Sequence, residues 1–186
     1  MTKTVKWILY TNIFIFILYL ISKFYGFYYI NLLALLPLDS GYFSPYQLVT
    51  YMFCHGTILH IFFNMLLLVS FGPYLEEKFG QKKFLNFYLI SGIFGGLAHL
   101  LLQSHPVIGA SGAVWGMLAT YGLLNPNQNL YLYFIVPIKA KFIASILFLY
   151  ELISCVLNVQ DGVSHLAHIG GAISGVLFYS IFIKKR

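Results

Sequence analysis

Apolar residues in this chain run on in long stretches, and polar residues fall in short breaks between them. Six runs stand out: Trp7–Phe24, Leu59–Leu75, Phe84–Leu102, Ala110–Leu124, Phe142–Leu157 and His165–Ile183. Such runs predict helices that cross a bilayer, because a hydrocarbon core about 30 Å thick needs roughly 20 residues of helix. The breaks are short except for residues 25–57, which read "FYYINLLALLPLDSGYFSPYQLVTYMF" after the first two. So apolar and aromatic a loop is expected to lie partly in the membrane interface, anchored by Tyr and Phe. The fourth run is the exception. Ala110–Leu124 gives about 22 Å of helix, too little to cross. The chain before it is therefore expected to be non-helical at membrane depth, which is tolerated only where protein buries it or it lines a wet cavity. No internal repeat or low-complexity segment divides the chain, so residues 1–186 read as one all-α, six-helix domain.

Composition makes the membrane unavoidable. Of the 186 residues, 60% are hydrophobic, 19% aromatic and only 9% charged, against roughly 25% charged in a soluble domain. The start, Met1 to Lys6, is basic, but the apolar run behind it is long and lacks a small-residue cleavage pattern, so no removable signal peptide is expected. The net charge of +6 is topological. Lys3, Lys6, Lys78, Lys82, Lys83, Lys139, Lys141, Lys184, Lys185 and Arg186 all fall on one side of a six-span arrangement, and only Lys23 on the other. The positive-inside rule then puts both termini in the cytoplasm, and no nucleic-acid partner is called for. Cys54 and Cys155 suggest no disulfide framework.

In such an apolar chain the polar residues carry the information. Measured up from the basic ends of the helices, Ser111 lies about 21 Å above the cytoplasmic boundary, His168 about 24 Å, and Asn64 and His60 about 18 to 25 Å. Four groups on three helices thus share a layer just below the outer surface. The short fourth helix places Ser111 at or near an N-terminus, where free N–H groups and the helix dipole favour a developing negative charge. Gly109 and Gly112 permit the turn before it.

These residue types suit acyl transfer. A serine hydroxyl needs an adjacent base, and His168 is available. His60 and Asn64 sit four apart on one helix face and can join the Ser111 N–H in holding an oxyanion. No aspartate stands at that depth, which implies a Ser–His dyad with Trp115, one turn below Ser111, supporting the ring. Gly171 and Gly175 read as helix packing that fixes His168 laterally. The spacings of His55, His60, His165 and His168 fit no standard zinc motif. His99 reads as a hydrogen-bonded buried histidine. Glu151 reads as a polar tether to the loop carrying Asp161, with no catalytic role. A transporter fits poorly, for want of repeat symmetry and paired broken helices.

At these residues the chain resembles the rhomboids, intramembrane serine proteases. "GASG" (Gly109 to Gly112) matches the family's GxSG nucleophile motif, "HIFFN" (His60 to Asn64) its HxxxN, and "AHIGGAISG" (Ala167 to Gly175) its AHxxGxxxG, whose histidine is the base. "LEEKFG" (Leu75 to Gly80) resembles the close of the second span, where Glu76 would be a structural hydrogen-bonding acid. The resemblance covers essentially the whole chain, and three motifs in the right spans and order make it specific. It implies a six-helix bundle with Ser111 opening a short fourth helix in a water-filled cavity, and His55 at an outer position near it. It implies substrates that are single-pass transmembrane proteins, entering laterally through movement of the fifth span and cut near the outer face with small residues favoured. No metal or cofactor is implied. The chain looks like the minimal bacterial form, for which the cytoplasmic (inner) membrane is the expected location. Two departures are Tyr46-Gln47, where the family's first loop often carries Trp-Arg, and Trp115, where it often carries Tyr. A catalytically silent relative that binds membrane clients is the alternative, although such proteins typically lack the serine or the histidine.

Overall fold

A computed structural model describes residues 1–27, 30–132, 135–159 and 161–184. Lys185 and Arg186, two of the basic residues counted above, lie outside the described residues. The six predicted runs are helices: α1 (Lys3–Phe24), then, after two one-turn helices α2 (Ile30–Leu33) and α3 (Gln47–Thr50), α4 (Ile58–Phe79), α5 (Gln81–Leu102), α6 (Ser111–Leu124), α7 (Ala140–Val156) and α8 (His165–Phe182). Among the described residues, α1, α4, α5 and α8 are long and apolar enough to cross a membrane. The other two are shorter, α6 with 14 residues and α7 with 17. The expected all-α class is met except for one feature that the hydrophobic pattern does not reveal: an antiparallel hairpin of β1 (Asn129–Leu132) and β2 (Val136–Lys139) between α6 and α7.

Two helix ends overrun their hydrophobic runs, and one side chain explains both. Helix α4 continues through Pro73 past Leu75 to Phe79, which carries Glu76 to the start of α1. There the Glu76 carboxylate accepts hydrogen bonds from the backbone N–H groups of Thr4 and Val5, each at 2.9 Å, and from the Thr2 hydroxyl at 2.5 Å. The first N–H groups of a helix have no partner within it. Supplying them with a carboxylate lets α1 begin at Lys3, four residues before the apolar run. Glu76 thus joins the end of α4 to the start of α1.

The inner helices approach at contact distance because glycine lines their crossing. A Cβ built on Gly171 of α8 would overlap the carbonyl of Gly112 on α6, and one on Gly175 would overlap the carbonyl of Gly116. On α5, a Cβ at Gly95 would stand 2.7 Å from the Ala167 carbonyl oxygen. The packing reading of Gly171 and Gly175 is thus correct, and the neighbour is α6. Short polar contacts accompany the glycines. Thr120 donates to the Gly175 carbonyl at 3.0 Å, and the Ser91 and Ser174 hydroxyls meet at 3.3 Å. Against this α5–α6–α8 core, α4 covers α6 and α1 covers α4. Helix α7 lies outermost and buries only Ala140, Glu151 and Ser154.

Part of the loop between α1 and α4 turns inward. Tyr51, Met52, Cys54 and His55 are buried, the Tyr51 hydroxyl donates to the Gly92 carbonyl of α5 at 2.6 Å, and Leu35 pairs with Val107 in a single bridge. Gln47 organises the loop from within: its Oε1 accepts from the N–H groups of Leu36 and Ser44, and its Nε2 donates to the Tyr42 carbonyl. The Tyr46 hydroxyl donates to the Leu32 carbonyl at 3.0 Å. Tyr46-Gln47 therefore anchors this loop with neutral hydrogen bonds. Cys54 and Cys155 are free thiols.

Two substitutions test these supports by equilibrium unfolding in mixed micelles. Gly171→Ala forces a methyl group into the α6 backbone and is expected to destabilise the protein by about 1–3 kcal/mol. Glu76→Gln removes the charged acceptor from the α1 N-terminus and is expected to cost about 1–3 kcal/mol.

Candidate active site

A cavity of about 930 Å³ opens at the N-terminal ends of α4, α6 and α8, and His60, Asn64, Ser111, Trp115, His165 and His168 line it. The placement of Ser111 and His168 follows from the glycine crossing. Gly112, which follows Ser111, lies against Ala167, which precedes His168: a Cβ on Gly112 would be 3.3 Å from the Ala167 carbonyl oxygen. The contact between these neighbours puts serine and histidine on the same wall. Ser111 is the first residue of α6 and half-buried. Among the described residues, no hydrogen bond joins it to His168. Serine and base are often apart when no substrate is bound, and close up in the reacting complex.

Each neighbour of Ser111 is held. Gly109 adopts φ +124°, a left-handed conformation that favours glycine, and its N–H donates to the Tyr51 carbonyl at 2.9 Å. A Cβ at this position would stand 2.6 Å from the His60 ring, so glycine is needed for the turn and for the approach of His60. His60 itself is fixed in the first turn of α4, where Thr57 caps the helix by accepting the His60 N–H at 3.1 Å. One amide N–H of Asn64 is bonded to the His60 carbonyl, 2.9 Å away. An asparagine amide carries two N–H groups, which leaves the second for the cavity.

His168 sits on an aromatic shelf. The Trp115 and His168 rings stack with centroids 5.3 Å apart and an interplanar angle of 26°, the ring support expected from their spacing. At the head of α8, Ser164 caps the helix by accepting the Ala167 N–H and also meets His99 Nδ1 at 2.7 Å, while His99 Nε2 lies 2.7 Å from the His105 carbonyl oxygen. A carbonyl can only accept, so Nε2 carries the His99 proton and Nδ1 accepts from the Ser164 hydroxyl. His99 is the hydrogen-bonded buried histidine expected, and it ties α5 to both α8 and the segment before Ser111.

His55 stands beside the cavity wall rather than in it. It does not line the cavity but lies behind His60, the two rings meeting edge to face at 4.8 Å, and it is 1% exposed. Burial, reinforced by the neighbouring His60 and opposed by the Phe53 backbone, pushes its pKa down to about 3. Its role is to back the His60 ring.

Sequence reasoning missed the position of Glu151. The expected tether to Asp161 exists but runs through His165: Glu151 Oε2 lies 2.6 Å from His165 Nδ1, and Asp161 Oδ1 lies 3.4 Å from His165 Nε2. The other carboxylate oxygen, Oε1, is 3.0 Å from Nδ1 of His168. The available signal was the cost of a carboxylate within an apolar run, which marks the residue without naming its partners. Among the described residues, no three His, Cys, Asp or Glu side chains are arranged to hold a metal ion.

Comparison with known proteins points to one family. A family model described as the Rhomboid domain matches residues 42–185. The chain is 37% identical over 146 residues to RHOMBOID-like protein 6, mitochondrial, of Arabidopsis thaliana, covering 76% of this chain and 45% of that protein. It is 31% identical over 191 residues to Rhomboid-like protease 3 of Toxoplasma gondii, covering 98% of this chain and 70% of that one. It is 33% identical over 132 residues to Rhomboid protease GluP of Bacillus subtilis (strain 168), covering 70% and 24%. The chain thus spans less than half the length of the Arabidopsis and Bacillus proteins.

The buried His55 gives a pH-dependent outcome. Its folded pKa is depressed below the ordinary 6.5, so the unfolded chain binds a proton that the folded chain refuses. Its stabilising contribution is complete above pH 6.5 and is lost as pH falls toward 3. Unfolding in mixed micelles is expected to show about 2 kcal/mol of loss from this group between pH 7 and pH 5. His55→Leu should flatten the profile by that amount.

Proposed function

The chain belongs to the rhomboid family, and from that premise we propose that it is an intramembrane serine protease whose nucleophile is Ser111 and whose general base is His168. The observation that carries the reading is the pairing of GASG and AHIGGAISG across one glycine contact, with Ser111 heading α6 and His168 stacked on Trp115 beside the same cavity. His168 takes the Ser111 Oγ proton as Oγ attacks the carbonyl carbon of a peptide bond. The tetrahedral oxyanion is held by the Ser111 N–H, which a first-turn residue leaves free, together with His60 and the spare Asn64 N–H. The C–N bond then breaks, His168 passes its proton to the leaving amine, and an ester remains on Ser111. Water, deprotonated by His168, hydrolyses that ester and restores the serine.

The cavity admits water to a site inside an apolar bundle, which hydrolysis requires. We read the whole chain as one domain of six helices in the bilayer, the short α6 standing on the pedestal of its neighbours rather than crossing alone. The lysine distribution favours cytoplasmic termini and an active site opening to the outer side. The substrates are single-pass transmembrane proteins that enter beside the loosely packed α7. The family sets an integral-membrane location. Relatives from mitochondria and from a bacterium do not single out the bacterial inner membrane expected from the sequence.

The test is cleavage of a single-pass substrate with small residues near its outer end, reconstituted with the protein in liposomes. Ser111→Ala and His168→Ala are each expected to abolish cleavage, and a fluorophosphonate probe should label the wild type and not Ser111→Ala. Wild-type rates in either variant would overturn the assignment. Absence of both cleavage and labelling in the wild type would favour a client-binding protein on the same fold.

A further inference from the structure

We propose that Glu151 is a positioning residue for the base, its carboxylate holding the His168 imidazole in the orientation and tautomer that proton abstraction from Ser111 requires. The inference rests on the Ser111–His168 reading and adds a third member that the sequence did not offer.

The Trp115 shelf alone does not fix His168. Stacking at 26° sets the plane of the ring but still permits a half-turn about the Cβ–Cγ bond, which would exchange Nδ1 with Cδ2 and Nε2 with Cε1 and so displace both nitrogens. The Glu151 contact removes this freedom, because Oε1 lies 3.0 Å from Nδ1. A carboxylate beside Nδ1 favours the tautomer that carries its proton there, leaving the lone pair on Nε2 to act as base. Among the described residues, Oε1 is the acceptor beside His168 Nδ1, which makes no hydrogen bond elsewhere. Such contacts tighten when substrate binds.

The carboxylate is itself held. Its second oxygen is bonded to His165 Nδ1 at 2.6 Å, and His165 is steadied on its far side by Asp161 at 3.4 Å. Glu151 is 4% exposed, and desolvating a carboxylate in an apolar helix is costly unless partners offset it. A tether between helices needs no charge for that task, since an amide bonds His165 as well. What the carboxylate adds is a charged acceptor facing the one histidine stacked beside Ser111. The residue also sits on α7, the helix with the fewest buried residues in the bundle, so the seating of α7 on α8 sets the orientation of the base.

The test uses the full-length protein in liposomes with the single-pass substrate. Glu151→Gln keeps the shape and removes the charge. It is expected to lower kcat by about 10- to 100-fold with KM and thermal unfolding near wild type, and to slow fluorophosphonate labelling of Ser111 in proportion. Glu151→Asp should recover part of kcat. A second readout does not need activity: in the Ser111→Ala background, histidine NMR should show a carboxylate-bonded Nδ1–H on His168 that Glu151→Gln removes. Wild-type kcat in Glu151→Gln, a change confined to KM or stability, or no such proton signal on His168 would overturn the proposal. If the wild type cleaves nothing, the protease reading fails, and the NMR arm still decides whether Glu151 orients His168.

Discussion

Everything in the site hangs on how closely α6 and α8 approach. The contact runs between backbones, Gly171 against the Gly112 carbonyl and Gly175 against the Gly116 carbonyl, and any side chain at those positions would hold the helices apart. In a bilayer, helices gain no hydrophobic advantage by associating, so close van der Waals packing between small residues supplies the attraction. The same contact aligns Ser111 with His168, because each neighbours a residue in the crossing. Packing and site geometry are one constraint here: separate the helices by the width of a methyl group and Ser111 and His168 move apart.

Around that crossing, polar groups are spent on fixing chain segments that the membrane would otherwise punish. The non-helical stretch before Ser111 has its backbone satisfied by Tyr51 and Leu35 of the first loop, and its approach to α5 and α8 is set by His99 through Ser164 and the His105 carbonyl. Glu76 completes the start of α1. These are the places where irregular backbone or an unpaired helix end lies within an apolar body. Each is supplied with a partner, as buried polar groups require. Helix α7 is the contrast, holding to α8 through one carboxylate and little else buried.

Much of this was legible in the sequence. Apolar run lengths marked all six helices, and helical rise alone put Ser111, His168, His60 and Asn64 in one layer. The spacing of Trp115 from Ser111 anticipated the stacked ring. The β1–β2 hairpin was missed because its strands, NLYL and VPIK, are only four residues long, too short for a two-residue alternation to show. That His55 backs the His60 ring could not be read from the chain, since a residue before a helix gives no angular phase from which to place it. The extra residues at the start of α1 were missed because the group that caps them, Glu76, comes from a different helix.

Sequence by itself determined the membrane class, the helices, the matching heights of Ser111, His168, His60 and Asn64 along their helices and the small residues that let helices touch. These are one-dimensional quantities, fixed by composition, run length and rise per residue. Tertiary structure alone decided which faces meet. Depth along a helix says nothing of rotation about its axis, so a lone glutamate on α7 reads as a tether until α7 and α8 are packed. Only the packed pair puts its two oxygens against two histidines, one of them stacked beside Ser111.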